Sequence, residues 1–214
     1  MQMIFSEGGE DVIVLDLLKR VPPSERGIYV DAGAFDPILL SNTMLLHKHG
    51  WRGINIDANP KTIERFEQER PEDKNISCAL SDREETFQYL EYAGGTCNRI
   101  GACGDMDESS MCGDQPVRKT NIEAKTLDLL LSQAFLNPPI IDFLSIDCEG
   151  HDFRVLKGLD FGRYRPRVIC IESTWLESGE GEVPGYLMKL GYKIHAKMPN
   201  NIIFADIGFF QTLV

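Results

Sequence analysis

Four stretches of the chain follow one pattern: a short aliphatic run that ends on an acid. They are residues 27–31 ending at Asp31, 53–57 ending at Asp57, 140–147 ending at Asp147, and 168–172 ending at Glu172. Runs of this length and β-branched content, bounded by Gly and Pro, read as buried strands. Between them lie segments with helical punctuation. Pro22-Pro23 ends a helix over about 7–20, whose first turn holds Glu7, Glu10 and Asp11. Acids there suit the positive end of the helix dipole. Gly50 stops a second helix, over about 41–49. Asn59-Pro60 starts a third, an N-cap followed by proline at the first helical position, running to Arg70. Thr126 caps a fourth, over 127–135, and others follow over 153–159 and 183–190. Residues 75–80 read as one further strand, with shorter strands over 86–92 and 117–122. Residues 192–197 and 202–206 pair as a hairpin across Pro199-Asn200-Asn201.

This alternation predicts an α/β fold: a Rossmann-like, mostly parallel sheet flanked by helices on both faces, with one antiparallel strand from the C-terminal hairpin. At 214 residues the chain reads as a single domain, 1–214, with an insertion or lid loop at about 93–116. Ligands of such sheets bind beyond the carboxyl ends of the strands, where the strand order reverses. The four terminal acids all fall at those ends.

Charge narrows the partners. Lysine plus arginine number 22 against 33 aspartate plus glutamate, a net charge of −11. Such a chain repels phosphate backbones and anionic lipid surfaces, so neither nucleic acid nor membrane is an expected partner. No apolar run approaches the roughly 20 residues of a membrane span, and residues 1–10 lack the basic-then-apolar order of a secretory signal. The expected location is cytoplasmic. The six cysteines form no CxxC pair, so neither a zinc ribbon nor a thioredoxin motif is supported. Cys78, Cys148 and Cys170 read as small buried hydrophobes, whereas Cys97, Cys103 and Cys112 crowd one Gly-rich stretch.

The loop after the first strand, Asp31-Ala32-Gly33-Ala34-Phe35-Asp36, carries little side-chain bulk at Gly33 and Ala34. A ligand can approach its backbone there. Its single glycine does not satisfy GxGxxG. Asp57 ends the next strand, where a carboxylate can accept both hydrogen bonds of a ribose diol. With Asp31 and Asp36 alongside, a pyrophosphate is repelled, while a sulfonium and an ammonium are attracted. Charge therefore favours S-adenosylmethionine over NAD or ATP.

Several segments in order resemble the FkbM family of class I methyltransferases. Ser6-Glu7-Gly8-Gly9-Glu10-Asp11 is similar to the family's "SQxGED" opening. Val30-Asp31-Ala32-Gly33-Ala34-Phe35-Asp36, Leu40-Ser41-Asn42-Thr43 and the stretch from Gly50 to Pro60 follow, the last similar to "GWxGIxIEPNP". Ala79-Leu80-Ser81-Asp82 and Thr126-Leu127-Asp128 also fit. The most specific piece runs from Ile141 to Asp152 and is close to "IDFLKIDVEGxE". Pro37 stands where the family usually has glycine, and Asp57-Ala58 where it has Glu-Pro.

The resemblance implies the class I methyltransferase fold and S-adenosylmethionine as cofactor. Asp31, Gly33, Ala34 and Asp36 would line its methionine part. Ser41 and Asn42 would reach its carboxylate, Asp57 and Ala58 would hold the ribose, and Ala79, Leu80 and Ser81 would border the adenine. Asp147 lies at the strand end that faces the methyl group. His151 and Glu149 are competing candidates for the base that deprotonates the acceptor. Asp147 and Glu172 are candidate Mg²⁺ ligands, and Trp175 a candidate pocket wall. The expected reaction is O-methylation of a hydroxyl on a sugar, glycan or secondary metabolite. A non-catalytic nucleoside-binding protein and a nicotinamide-dependent oxidoreductase are the rival readings. Nothing in the sequence sets an oligomeric state.

Overall fold

The computed structural model describes residues 3–93, 98–100, 116–173 and 182–211. Cys97, Cys103, Cys112, Trp175 and nearly all of the 93–116 loop lie outside the described residues.

The terminal acids of the sequence close real strands. The parallel core consists of β1 (Ile28–Ala32), β2 (Gly53–Asp57), β3 (Lys74–Ser77), β8 (Ile141–Ile146) and β9 (Val168–Glu172), joined by β10 (Tyr192–Lys197) and β11 (Asn201–Asp206). The seven strands run in the order β10-β11-β9-β8-β1-β2-β3. β11 alone runs against the other six strands, as the hairpin predicts. The order reverses at β1, which has β2 on one side and β8 on the other.

Side-chain alternation along the strands feeds two cores. Val30, Leu144, Ile146, Ile169 and Ile171 pack with Leu127, Val155 and Leu187 of the helices α4 (Leu127–Ala134), α5 (Asp152–Lys157) and α6 (Glu182–Lys189). Tyr29, Phe143, Val168 and Cys170 point the other way, onto Val14 of α1 (Glu10–Leu18) and Leu45 of α2 (Met44–Lys48). The sheet is therefore covered on both faces. The capping residues behave as the sequence predicts. Asn59 accepts from Lys61 N at 3.1 Å at the head of α3 (Pro60–Glu69), and Thr126 accepts from Leu129 N at 3.1 Å at the head of α4.

Three features differ from expectation. The strand expected over 75–80 breaks at Cys78: its first half is β3, and its second, β4 (Ala79–Leu80), joins a separate sheet. That sheet, β4-β7-β5-β6, also holds β5 (Glu85–Glu91), β6 (Arg99–Ile100) and β7 (Arg118–Lys125). Helix α2 begins at Met44 rather than 41, because residues 36–43 are held as a loop by side-chain hydrogen bonds described below. A short helix α7 (Ile207–Gln211) follows the hairpin.

Asp142, fully buried on β8, ties three elements together. One oxygen accepts from Gly27 N at 2.8 Å and from the Trp51 indole at 2.7 Å, and the other pairs with Arg167. Removing a buried ion-pair partner leaves its cation and its donors unpaired. Asp142→Ala is expected to lower stability by about 3–5 kcal/mol in urea unfolding.

Candidate functional site

At the β1 switch point the carboxyl ends of the strands open into a cavity of about 430 Å³. Its base is a close approach of backbones. Gly33, at φ 81°, stands so near the end of β8 that a Cβ would lie 1.7 Å from the Asp147 carbonyl oxygen. Gly33 N also donates to Ile56 O (2.9 Å), and Asp147 N to Ala32 O (2.9 Å). The β1 loop is thus stitched to both neighbouring strands, and only glycine fits there.

Asp57, at the tip of β2, accepts from Phe35 N (3.0 Å) on one oxygen and from Asn59 N (2.7 Å) on the other. Each oxygen keeps a further lone pair for a ligand. Burial pushes this carboxyl up to about 6, against the two backbone donors. Asp31 accepts from the Thr43 hydroxyl at 2.6 Å, and burial likewise raises it to about 6. Asn42 donates to the Ser145 hydroxyl at 3.1 Å.

Below this layer lies Arg70, fully buried. It donates to Thr43 Oγ1 (2.8 Å), to Ser41 Oγ (2.9 Å) and to the Pro37 carbonyl. Asp36 accepts from Ile38 N (2.8 Å) and Leu39 N (2.9 Å) and pairs with Arg65. These bonds compete with helix formation over 36–43, which is why α2 starts late. Sequence reasoning took Arg70 only for the end of α3.

On the β8 side, buried Asp152 accepts from Cys148 N (2.8 Å) and Gly150 N (3.0 Å). It shapes a turn in which Glu149 adopts φ 51° and Gly150 φ 88°. Phe35, Leu40 and Glu149, the non-glycine residues with positive φ among the described residues, all line the cavity. Strain of this kind, of order 1–3 kcal/mol each, gathers at functional sites. Burial, with Asp152 beside it, raises the Glu149 carboxyl to about 7, Arg99 pulling the other way. Asp147 is driven well above the usual carboxylate range by burial, then by Asp152, Glu149 and Asp31, and it hydrogen-bonds Glu172.

Most predicted site residues meet at this cavity: Asp31, Gly33, Ala34, Ser41, Asn42, Asp57, Ala58, Ala79, Leu80, Asp147, Glu149 and Glu172. Three do not line it. Asp36 is turned onto its own loop and Arg65. Ser81 and His151 bond each other behind the wall, hydroxyl to Nε2 at 3.0 Å, with the imidazole edge-on to Phe87. Burial, then Arg154, pulls His151 down to about 4. Asp147 and Glu172, the residues expected to hold Mg²⁺, both line the cavity, and among the described residues no group of three or more His, Cys, Asp or Glu is arranged for a metal. Glu7, Arg99, Asn200 and Asn201 also line the cavity. From the sequence alone Glu7 reads as a helix-dipole acid and the two asparagines as turn residues. Among the described residues, Arg99 is the single basic side chain on the wall, facing six acids. No helix among the described residues is long and apolar enough to cross a membrane.

The raised carboxyls have a consequence for stability. Between about pH 4 and 7 the native state holds protons on Asp31, Asp57, Asp152 and Glu149 that the unfolded chain has released. Stability therefore falls as pH rises through that window. His151 opposes this with one proton, which the unfolded chain binds and the native state refuses below about 6.5. Urea unfolding is expected to show a more stable protein at pH 5.5 than at pH 7.5.

The family model described as "Methyltransferase FkbM domain" matches residues 31–194. No curated protein and no solved structure matches the chain.

Proposed function

Because the chain belongs to the FkbM methyltransferase domain family, we propose that it moves a methyl group from S-adenosylmethionine to a hydroxyl oxygen of a small molecule or glycan. The observation that carries the cofactor assignment is the charge of the wall. On the side of β1, β2 and β8, Asp31, Asp57, Asp147 and Glu149 face the cavity. That wall repels the pyrophosphate of NAD or ATP and attracts a ligand bearing a sulfonium and an ammonium. The residues present fit such a group. Asp57 keeps one lone pair per oxygen for the ribose hydroxyls. The close approach of Gly33 to Asp147 leaves backbone, not side chain, under the methionine part. Ala79 and Leu80 offer a flat apolar edge to the adenine, with Ser81 and His151 bracing that edge from behind.

When bound, the cofactor supplies an electrophilic methyl group on a positively charged sulfur. Glu149 holds the acceptor and takes its hydroxyl proton. A carboxyl raised to about 7 is half ionised near neutrality and basic enough to assist. His151, bonded to Ser81 and outside the cavity lining, positions the adenine edge. Asp147 and Glu172 line the cavity at the ends of β8 and β9. A reducing, cytoplasmic setting belongs to this reading; the described Cys78, Cys148 and Cys170 are all free thiols.

Isothermal titration with S-adenosylhomocysteine, with NAD in a parallel cell, tests the assignment. Binding of S-adenosylhomocysteine alone is expected. NAD alone would return the chain to the oxidoreductase reading, and silence in both to the non-catalytic one. Asp57→Ala is expected to weaken S-adenosylhomocysteine by about 1–3 kcal/mol. Once an acceptor is in hand, Glu149→Gln is expected to lower turnover by about 10²–10⁴-fold. The variant should also lose the rise in rate that the wild type shows as pH passes through about 7.

A further inference from the structure

One corner of the cavity is built by two segments outside the matched region 31–194. They are the stretch at residues 6–11 and the turn that enters β11. Asn201, the first residue of β11, stands directly opposite Glu172 of β9. Directly opposed residues project from the same face of a sheet. Asn201 is 5% exposed and lines the cavity. Its Nδ2 donates to Glu10 Oε1 at 3.1 Å. A carboxylate only accepts, so the amide nitrogen must face Glu10 and the oxygen must face away. That oxygen, Asn201 Oδ1, is buried and receives no hydrogen bond. A buried acceptor left unpaired costs about 1–3 kcal/mol, so its persistence on a cavity wall points to a ligand that satisfies it.

The neighbouring groups define that ligand. Glu7 closes the corner and accepts from Asn200 Nδ2 at 2.8 Å. Glu172 lies on the opposed strand. The corner thus offers acceptors, Asn201 Oδ1 and two carboxyl groups, and its negative charge outweighs its donors, since Asn200 and Asn201 each already spend one of their two amide N–H on Glu7 and Glu10. A hydroxyl brings lone pairs that need donors as well as a proton. An ammonium brings only donors and a positive charge.

Resting on the methyltransferase reading above, we propose that this corner is the acceptor-recognition subsite and that it holds the protonated amine of an amino-alcohol substrate, of the amino-sugar or aminocyclitol class, whose hydroxyl is presented to Glu149. The subsite lies on the β9–β11 side of the cavity, whereas Asp57 and the β1 loop lie on the β1–β2 side. Cofactor and acceptor can then be bound independently.

That independence makes the test separable. Protein loaded with S-adenosylhomocysteine is probed by saturation-transfer NMR with D-glucosamine and 2-deoxystreptamine, and with D-glucose and N-acetyl-D-glucosamine as uncharged counterparts. At least one amine is expected to bind about tenfold more tightly than either uncharged sugar. Asn201→Leu and, at an exposed position that spares the fold, Glu7→Gln are each expected to weaken that amine several-fold. Both should keep wild-type affinity for S-adenosylhomocysteine by calorimetry. Neither amine binding, equal binding of glucose or N-acetylglucosamine, or both variants binding the amine like the wild type would overturn the proposal. Wild-type protein that takes up no S-adenosylhomocysteine would overturn the methyltransferase reading instead, and the proposal with it.

Discussion

The contact between Gly33 and the Asp147 carbonyl sets the rest of the site. Strand order reverses at β1, so its loop must leave between two diverging connections, one toward β2 and one from β8. A side chain at residue 33 would push the loop off the β8 end, since a Cβ there would lie 1.7 Å from the carbonyl oxygen. With glycine, the loop is bonded to Ile56 on one side and the β8 end to Ala32 on the other. That stitching places Phe35 N on Asp57 and so presents the Asp57 carboxylate to the cavity. The backbone contact determines the position of the acid, not the reverse.

An acid-lined crevice is costly to hold, and the fold offsets the cost in two ways. Arg70 is buried beneath the β1 side, where its guanidinium gathers Thr43, Ser41 and the Pro37 carbonyl and its charge partly opposes the burial that raises Asp31 to about 6. On both sides carboxyls also retain protons: Asp31 and Asp57 are raised to about 6, Glu149 to about 7 against the pull of Arg99, and Asp147 well above its usual range. The carboxyls raised furthest, Glu149 and Asp147, stand at the β8 end, the side assigned to proton removal.

Much of this was legible because it is local. The strand-ending acids, the Asn59 and Thr126 caps and the Gly50 stop all depend on neighbours within four residues. The second sheet was not legible, because β4 and β6 are two residues each and exist only by pairing with β7 and β5. Nothing in residues 75–80 announces a break at Cys78. Helix α2 was read too long for a similar reason: Ser41 and Thr43 look like helix-start residues until Arg70, 27 residues beyond Thr43, bonds their hydroxyls. His151 and Glu149 looked equivalent as bases because they are two residues apart. The turn held by Asp152, with Gly150 at φ 88°, sends them to opposite sides of the wall.

The segments that complete the cavity also differ in how they are tied. The cofactor side is held by the parallel sheet and lies within the matched family region. The opposite corner depends on chain ends: Ser6 bonds Asp11 at 2.7 Å, Glu10 bonds Asn201, and Glu7 bonds Asn200. The last two contacts join residues about 190 apart along the sequence through side chains alone. On the proposed reading, a fold divided in this way keeps its donor chemistry constant in the core and leaves acceptor specificity to side chains of the N-terminal segment and the hairpin turn.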